Sequence, residues 1–257
     1  MRVIKALGLA LLLAGCTQIV EVNGHKVDRD ASAQDHVQIA SEFMQRGDDE
    51  HALMHLQRAL ELNPDSAQAH SLLGLLLQRE GDVAGAEKNF RKAVSDDDTY
   101  SPAHNNYGAF LFGQGRYKEA VTQLQKAADD LSYNARDQAL VNLGRASVKT
   151  GDLATAETAF ARAMRVHPDM PEALLEMADL QFTKGNTVAA HDLYQHFLQL
   201  TGNAIQSART LWLGIRLERI FGDKNALSSY ELALKNIYPE SPEYKAFVQS
   251  QAGGTGS

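Results

Sequence analysis

The sequence is poor in the residues that build covalent or catalytic centres. It has 257 residues but only one cysteine, Cys16, together with one tryptophan and six prolines. A lone thiol in an oxidising compartment can oxidise or cross-link unless it is modified. The sequence also contains no Gly-x-Ser-x-Gly, no Walker phosphate loop and no His-Glu-x-x-His. We therefore expect a protein that is not an enzyme and that needs no cofactor.

Positive charge and long apolar runs are scarce as well. Lysine and arginine total 25 against 32 aspartate and glutamate residues, which gives a net charge of −7 at pH 7. Such a surface repels nucleic acid and anionic lipid head groups, so we expect no nucleic-acid partner. After Cys16 no run of about eighteen apolar residues occurs. The sequence there predicts no membrane-spanning helix.

The N-terminus has the pattern of a lipoprotein signal. Arg2 and Lys5 precede an apolar run over residues 6–14, and residues 13–16 read Leu-Ala-Gly-Cys. The run is too short to span a bilayer permanently, and small residues before Cys16 suit a signal peptidase. We expect residues 1–15 to be cleaved and Cys16 to carry lipid, which removes the free thiol and anchors the chain in a membrane. A buried hydrophobic helix is the alternative, but the run shows no helical periodicity.

Residues 16–32 form a mixed, charged segment without an apolar period. This composition predicts a flexible, lipid-anchored tether, with an extra strand over residues 19–22 as the alternative. Thr17, rather than an aspartate, follows the cysteine. By the general sorting rule for bacterial lipoproteins, this residue predicts delivery to the outer membrane of a Gram-negative bacterium, facing the periplasm.

From residue 33 to residue 240 the chain repeats itself about every 34 residues. Position 8 of each copy is small, position 20 is alanine, and position 24 is large, a pattern that lets two helices of a hairpin approach closely. Two extra residues enter before the fourth copy and again before the sixth. The copies begin near Ala33, Ala67, Ser101, Asp137, Pro171 and Ser207.

Glycine and proline mark the ends of the predicted helices. A glycine lies between the two helices of five copies, where it tolerates the left-handed backbone that ends a helix. Pro64, Pro168 and Pro239 fall where the second helix stops. The combined pattern resembles the tetratricopeptide repeat (TPR). The resemblance implies an all-α fold, a right-handed superhelical solenoid of six TPR helix-turn-helix repeats. The glycines are Gly47, Gly81, Gly115, Gly151 and Gly185.

Histidines occupy position 4 of the first three copies, at His36, His70 and His104. Their regular spacing invites a metal-site or pH-switch hypothesis. Equivalent positions in a helix stack lie about 10 Å apart, which is too far to share one metal ion. We expect no metal site, and we expect each ring to pack in its own hairpin with one nitrogen bonded to backbone. His51 and His55, four residues apart, lack a third ligand.

The concave face of such a stack is lined by positions 2, 5, 9 and 12 of each first helix. Apolar residues occur there, which favours a groove for an amphipathic segment of a partner protein. Burial of these residues by the curvature of the stack is the alternative. Position 5 offers no set of Lys, Arg and Asn, so a clamp for a terminal carboxylate is not expected. The hypothesised groove residues are Val37, Met44, Leu75 and Phe112.

Five local stretches are residues 105–108, 116–117 with 119–120, 176–180, 213–217, and 238–239 with Tyr244. Together they resemble a narrower family, the type IV pilus biogenesis lipoproteins PilF/PilW. The resemblance implies a pilotin, an outer-membrane lipoprotein that binds the pilus secretin subunit and promotes its localisation and multimerisation. An adaptor for periplasmic cell-wall hydrolases or for outer-membrane assembly machinery is the alternative. We expect the protein alone to be monomeric.

The C-terminal residues predict a cap and a tail. Residues 241–250 favour a short helix that covers the apolar face of the last repeat, because terminal repeats need a polar outer face. Tyr244 and Phe247 are the expected docking residues. Residues 251–257 are glycine-rich and are expected to be disordered.

Overall fold

The structure is a computed structural model that describes residues 19–22, 25–202 and 204–252. The predicted signal peptide, Cys16 and the last five residues of the predicted tail lie outside the described residues. The chain divides into two compact units, between Ala103 and His104.

The first described segment is a β hairpin rather than a tether. Strands β1 (Ile19–Val22) and β2 (His25–Asp28) pair antiparallel, with Ile19 opposite Asp28 and Val22 opposite His25. The tether predicted over residues 16–32 is therefore wrong for these strands, and the alternative of a strand over residues 19–22 is correct. Isoleucine and valine favour extended backbone, and the intervening Asn-Gly sequence is the dipeptide most typical of two-residue hairpins.

Helices account for nearly all of the remaining described chain. They form six successive pairs followed by a single helix, and the predicted all-α fold class, a solenoid of TPR repeats, is confirmed. The pairs are α1 (Arg29–Arg46) with α2 (Asp49–Leu62), α3 (Ala67–Glu80) with α4 (Val83–Asp96), α5 (Ser101–Gly113) with α6 (Tyr117–Asp129), α7 (Arg136–Thr150) with α8 (Leu153–Val166), α9 (Pro171–Thr183) with α10 (Thr187–Thr201), and α11 (Ala208–Phe221) with α12 (Lys224–Ile237); α13 (Pro242–Ala252) follows.

The helix ends follow from local sequence. Helix α1 begins four residues before the predicted start because the Asp28 carboxylate accepts hydrogen bonds from the amides of Asp30 and Ala31. The five inter-helix glycines all have positive φ, between 74° and 84°, as predicted. Gly222, with φ of 88°, ends α11 in the same left-handed conformation and was not recognised in the sequence. No helix among residues 25–202 and 204–252 is long and apolar enough to cross a membrane.

The core of each hairpin is a small residue against a large one. A Cβ atom added to Gly74 would lie 2.7 Å from the Phe90 ring, and one added to Gly144 would lie 2.3 Å from the Phe160 ring. Phe90 and Phe160 are fully buried. At these two glycines, position 8 of the first helix thus faces position 24 of its own second helix, which brings the two backbones close together.

Helix α13 covers the end of the second unit, where a capping helix was predicted. Phe247 is buried with Leu211, Ile215 and Leu234. Its ring meets the Trp212 indole edge to face, with centroids 6.3 Å apart. Gln251 and Ala252, expected in the disordered tail, instead belong to the last turn of α13.

Substitution of Gly144 tests the small-against-large contact. We expect Gly144→Val to lower the free energy of unfolding by about 2–3 kcal/mol, because the Phe160 ring is buried and cannot move aside. Urea denaturation followed by circular dichroism measures this loss. Gly113→Val is the matched control, since Gly113 is exposed and an added Cβ meets nothing within 4 Å. Equal losses in the two variants would contradict the proposed packing.

Candidate protein-binding surface

The four residues of the hypothesised groove differ in solvent exposure. Val37 is 7% exposed and packs in the core of the first unit with Ala40 and Leu56, so the prediction that it lines an open groove is wrong. A valine side chain is short, and the neighbouring helices close over it. Met44 packs at the margin of the same cluster and is partly exposed. Leu75, in the first unit, and Phe112, in the second, are also partly exposed.

The three position-4 histidines each contact the second helix of their own hairpin. His36 Nδ1 lies 2.9 Å from His55 Nδ1, and His104 Nδ1 lies 2.7 Å from Gln123 Oε1. His70 Nδ1 lies 2.9 Å from Asn89 Oδ1. The expected backbone bond occurs for His70, where Nε2 donates to the Pro64 carbonyl at 3.0 Å.

These contacts give the histidines a structural role inside the hairpins. No group of three or more potential metal-ligating side chains occurs among residues 28–202 and 204–251. Burial lowers the pKa of His36 below 6.5, and the nearby His55 and Arg58 lower it further. The ring of His55 also stacks on Phe43, with centroids 5.6 Å apart.

A network of ion pairs joins three successive first helices of the second unit. Glu176, on α9, is only 4% exposed. Its carboxylate accepts a hydrogen bond from Arg145 Nε of α7 at 2.7 Å and a bidentate pair from Arg209 of α11 at 2.8 Å each. Asp179, one turn further along α9, accepts from Arg209 at 2.9 Å and from Arg216 at 2.8 Å. We call the surface that α5, α7, α9 and α11 present in this unit the first-helix face.

The network sets the charge states of its two carboxylates. Burial by itself raises the pKa of Glu176, but hydrogen bonds and ion pairs with Arg209 and Arg145 more than offset it, so the pKa falls below 4.5. Burial likewise opposes a low pKa at Asp179, and Arg209 and Arg216 bring it below 3.8. Both groups are therefore ionised at neutral pH, as a bidentate arginine pair requires.

Asp179 occupies position 9, which is one of the positions predicted to line the concave face, but the ionic network was not predicted. The available signal was opposite charge on successive first helices, with Arg145 in one copy and Glu176 and Asp179 in the next. Arg216 adds an aromatic contact that spacing alone did not indicate. Its guanidinium carbon lies 4.5 Å from the centre of the Phe182 ring and 5.6 Å from that of Trp212.

Two open depressions adjoin the network on the first-helix face. The smaller is lined by Ala109 and Phe112 of α5 and by Asn142 and Arg145 of α7. The larger has a volume of about 350 Å³ and lies between α9, the end of α10 and the segment that leads into α11. Its lining residues are Arg145, Pro171, Glu172, Leu175, Phe197, Thr201, Ala204, Ile205, Gln206, Ser207 and Thr210.

The paired helices, with two open depressions on the first-helix face, define the class of helical repeat proteins that bind other proteins. Three family models agree: residues 40–81 match "TPR repeat", and residues 77–143 and 141–205 match "Tetratricopeptide repeat". The type IV pilus assembly protein PilF of Pseudomonas aeruginosa is 38% identical over 241 residues, which cover 93% of this chain and 94% of PilF. The chain belongs to the PilF family of type IV pilus TPR proteins.

Solved structures agree with this assignment. The structure of Pseudomonas aeruginosa PilF matches with a TM-score of 0.79 and 38% identity, covering 86% of this chain and 99% of that one. PilW, described as a widely conserved type IV pilus biogenesis factor, matches with a TM-score of 0.71 and 26% identity, covering 84% and 98%. YrrB, a TPR protein with an unusual peptide-binding site, shares the fold, with a TM-score of 0.58 and 17% identity over 76% of this chain and 97% of that one.

Removal of one charge tests the ionic network and its pH dependence. We expect Glu176→Gln to lower the free energy of unfolding at pH 7 by about 3 kcal/mol, because two arginines lose a buried partner. Since folding lowers the pKa of Glu176, its contribution is full above the unfolded value and is lost as pH falls through the folded one. The gap between wild type and variant should therefore narrow below pH 4.5. Urea titrations at several pH values measure it.

Glu172→Gln is the matched control on the same helix. Glu172 is exposed, so its substitution should change the stability by less than about 0.5 kcal/mol at any pH. A constant gap between wild type and Glu176→Gln from pH 7 to pH 3 would contradict the coupling of the network to ionisation.

Proposed function

We propose that this protein is a pilotin of type IV pilus biogenesis, which binds secretin subunits and promotes their localisation and multimerisation at the outer membrane. The observation that carries the proposal is the 38% identity to the type IV pilus assembly protein PilF along 93% of the chain. A match of this extent includes every repeat, so it concerns the whole arrangement of surfaces rather than the TPR motif alone. The protein acts by binding and not by catalysis.

A lipid on Cys16 supplies the membrane attachment in this proposal. The support is the sequence itself: two basic residues, a short apolar run and Leu-Ala-Gly before the cysteine. Acyl chains contribute about 0.8 kcal/mol for each buried methylene, so several chains hold the protein stably in a bilayer. Thr17 after the cysteine supports delivery to the outer membrane, with the repeats in the periplasm.

Membrane attachment links binding of the secretin to its localisation and assembly. A secretin subunit held by a membrane-anchored protein travels to the membrane where the anchor is delivered. Tethering also raises the local concentration of bound subunits, toward the millimolar range for short linkers. High local concentration favours assembly of a multimer.

The partly exposed apolar residues of the first helices are the proposed contacts for the secretin. Met44 and Leu75 lie on α1 and α3 of the first unit, and Phe112 lies on α5 in the second. Partial exposure leaves apolar area for a partner to bury, at about 25 cal/mol for each Å². Val37 supports this surface from beneath, since it lies in the cluster on which Met44 packs.

Deletion of the gene tests the function as a whole. We expect loss of heat-resistant secretin multimers, or their retention at the inner membrane, because the escort is missing. Immunoblots of separated inner and outer membranes measure both. Wild type should restore the multimers at the outer membrane, and Cys16→Ala should not. Normal outer-membrane multimers in the deletion strain would overturn the proposal and favour a cell-wall adaptor.

A substitution in the first unit tests the proposed contact. We expect Leu75→Asp to weaken binding of the purified secretin periplasmic region at least tenfold, because a charge on the contact must be desolvated. Biolayer interferometry with the soluble repeat region measures the affinity. Leu131→Asp is the control, since Leu131 is 79% exposed in a loop. Unchanged binding by Leu75→Asp, with wild type still binding, would remove Leu75 from the contact.

A further inference from the structure

Arg145 is the arginine of the ionic network that uses neither of its Nη atoms on the network carboxylates. Its Nε donates to Glu176, and among the described residues neither of its two Nη atoms has a hydrogen-bond partner. Arg209, by contrast, uses both Nη atoms, on Glu176 and on Asp179. The Arg145 side chain remains 35% exposed. Its guanidinium is therefore fixed by the Nε bond to Glu176, while the edge with the two Nη atoms is accessible to a ligand.

The open edge of Arg145 is shared by two depressions. One lies toward α5, where Ala109 and Phe112 are its apolar walls. The other lies toward α9, where Leu175, Phe197 and Ile205 are its apolar walls. Ile205 is 80% exposed although it is a large aliphatic residue. A cationic group therefore stands between two apolar hollows on the first-helix face.

The arginines of the network favour a negatively charged ligand at this site, although the protein is acidic overall. Three arginines meet two carboxylates in the network, and both carboxylates are already bound. Glu172 lies at the rim of the larger depression and is exposed, where solvent screens its charge. A carboxylate that reaches the Nη atoms of Arg145 forms charge-assisted hydrogen bonds without displacing any existing one.

We propose that the first-helix face around Arg145 binds a segment of the secretin subunit in which an aspartate or glutamate side chain stands between two apolar residues. The carboxylate binds the Nη atoms of Arg145, and the flanking residues enter the two depressions. A chain-terminal carboxylate does not fit this arrangement, because the chain must continue on both sides of the acidic group. This inference rests on the proposed function, since it names the secretin as the partner.

The segment is found with overlapping synthetic peptides that together cover the secretin sequence. Fluorescence anisotropy measures their affinity for wild-type protein and for Arg145→Gln, which retains a donor for Glu176. We expect at least one peptide with an acidic residue between apolar ones to bind wild type and to bind Arg145→Gln about tenfold or more weakly. Replacing its acidic residue by the amide should cause a similar loss in wild type and little further loss in the variant.

Two further variants make the test independent of folding defects. Ile205→Asp changes a highly exposed residue in the larger depression, so it should fold normally and still weaken the same peptide at least tenfold. Arg165→Gln, at an exposed arginine on α8, removes an equal charge elsewhere and should bind like wild type. Thermal unfolding confirms that each variant is folded.

The outcomes separate this inference from the function on which it rests. If peptides and intact secretin bind wild type, but neither Arg145→Gln nor Ile205→Asp weakens them, the site is wrong and the pilotin function stands. If the binding peptide carries no acidic residue, or acts only through its terminal carboxylate, the site is also wrong. If neither wild type nor any variant binds the secretin or its peptides, the proposed function fails, and this inference fails with it.

Discussion

Close approach of two helices at a glycine or alanine is the contact on which the fold depends. In five of the six described hairpins the ring or leucine at position 24 is fully buried, as Phe160 is against Gly144. The large residue gains burial only because the facing residue is small, so neither member stabilises the hairpin alone. Repetition of one such contact in each copy makes the architecture a sum of similar local terms.

Polar groups are built into these hairpins in two different ways. In the first three, a histidine at position 4 bonds a polar side chain of the second helix, whereas the fourth has Leu140 and Ala159 at the corresponding positions, both buried. In the later repeats a buried carboxylate lies between first helices, where Glu176 joins α7, α9 and α11. A buried carboxylate with two arginine partners is costly to separate, so it fixes how these three helices lie together.

That arrangement also preorganises the surface that we propose for binding in the second unit. A guanidinium on a free side chain would lose rotamer entropy when it met a ligand. Arg145 has already lost part of that freedom to Glu176, and its remaining donors point to open space. Preorganisation of this kind lowers the entropic cost of recognition. Met44 and Leu75 lack this preorganised hydrogen-bonding group and offer only apolar area.

Short-range sequence features predicted most of the fold because TPR hairpins are local. Spacing alone located the small and large positions, the left-handed glycines and the helix starts to within a residue after the first repeat. The β hairpin was predicted as a tether, since four-residue strands carry a weak periodic signal. The backbone partner expected for each position-4 histidine was wrong for His36, because its ring bonds His55, nineteen residues away on another helix.

The sequence by itself determined the repeat, its class and the family, because each depends on residue types at fixed separations along the chain. Tertiary structure alone decided which surface residues are available. Val37 and Met44 both belong to the lining predicted for the first helix, yet one is buried and the other partly open. Glu176 and Arg209, 33 residues apart, meet only when two repeats stack. Exposure and charge pairing are properties of neighbouring helices, and no single helix contains the information that fixes them.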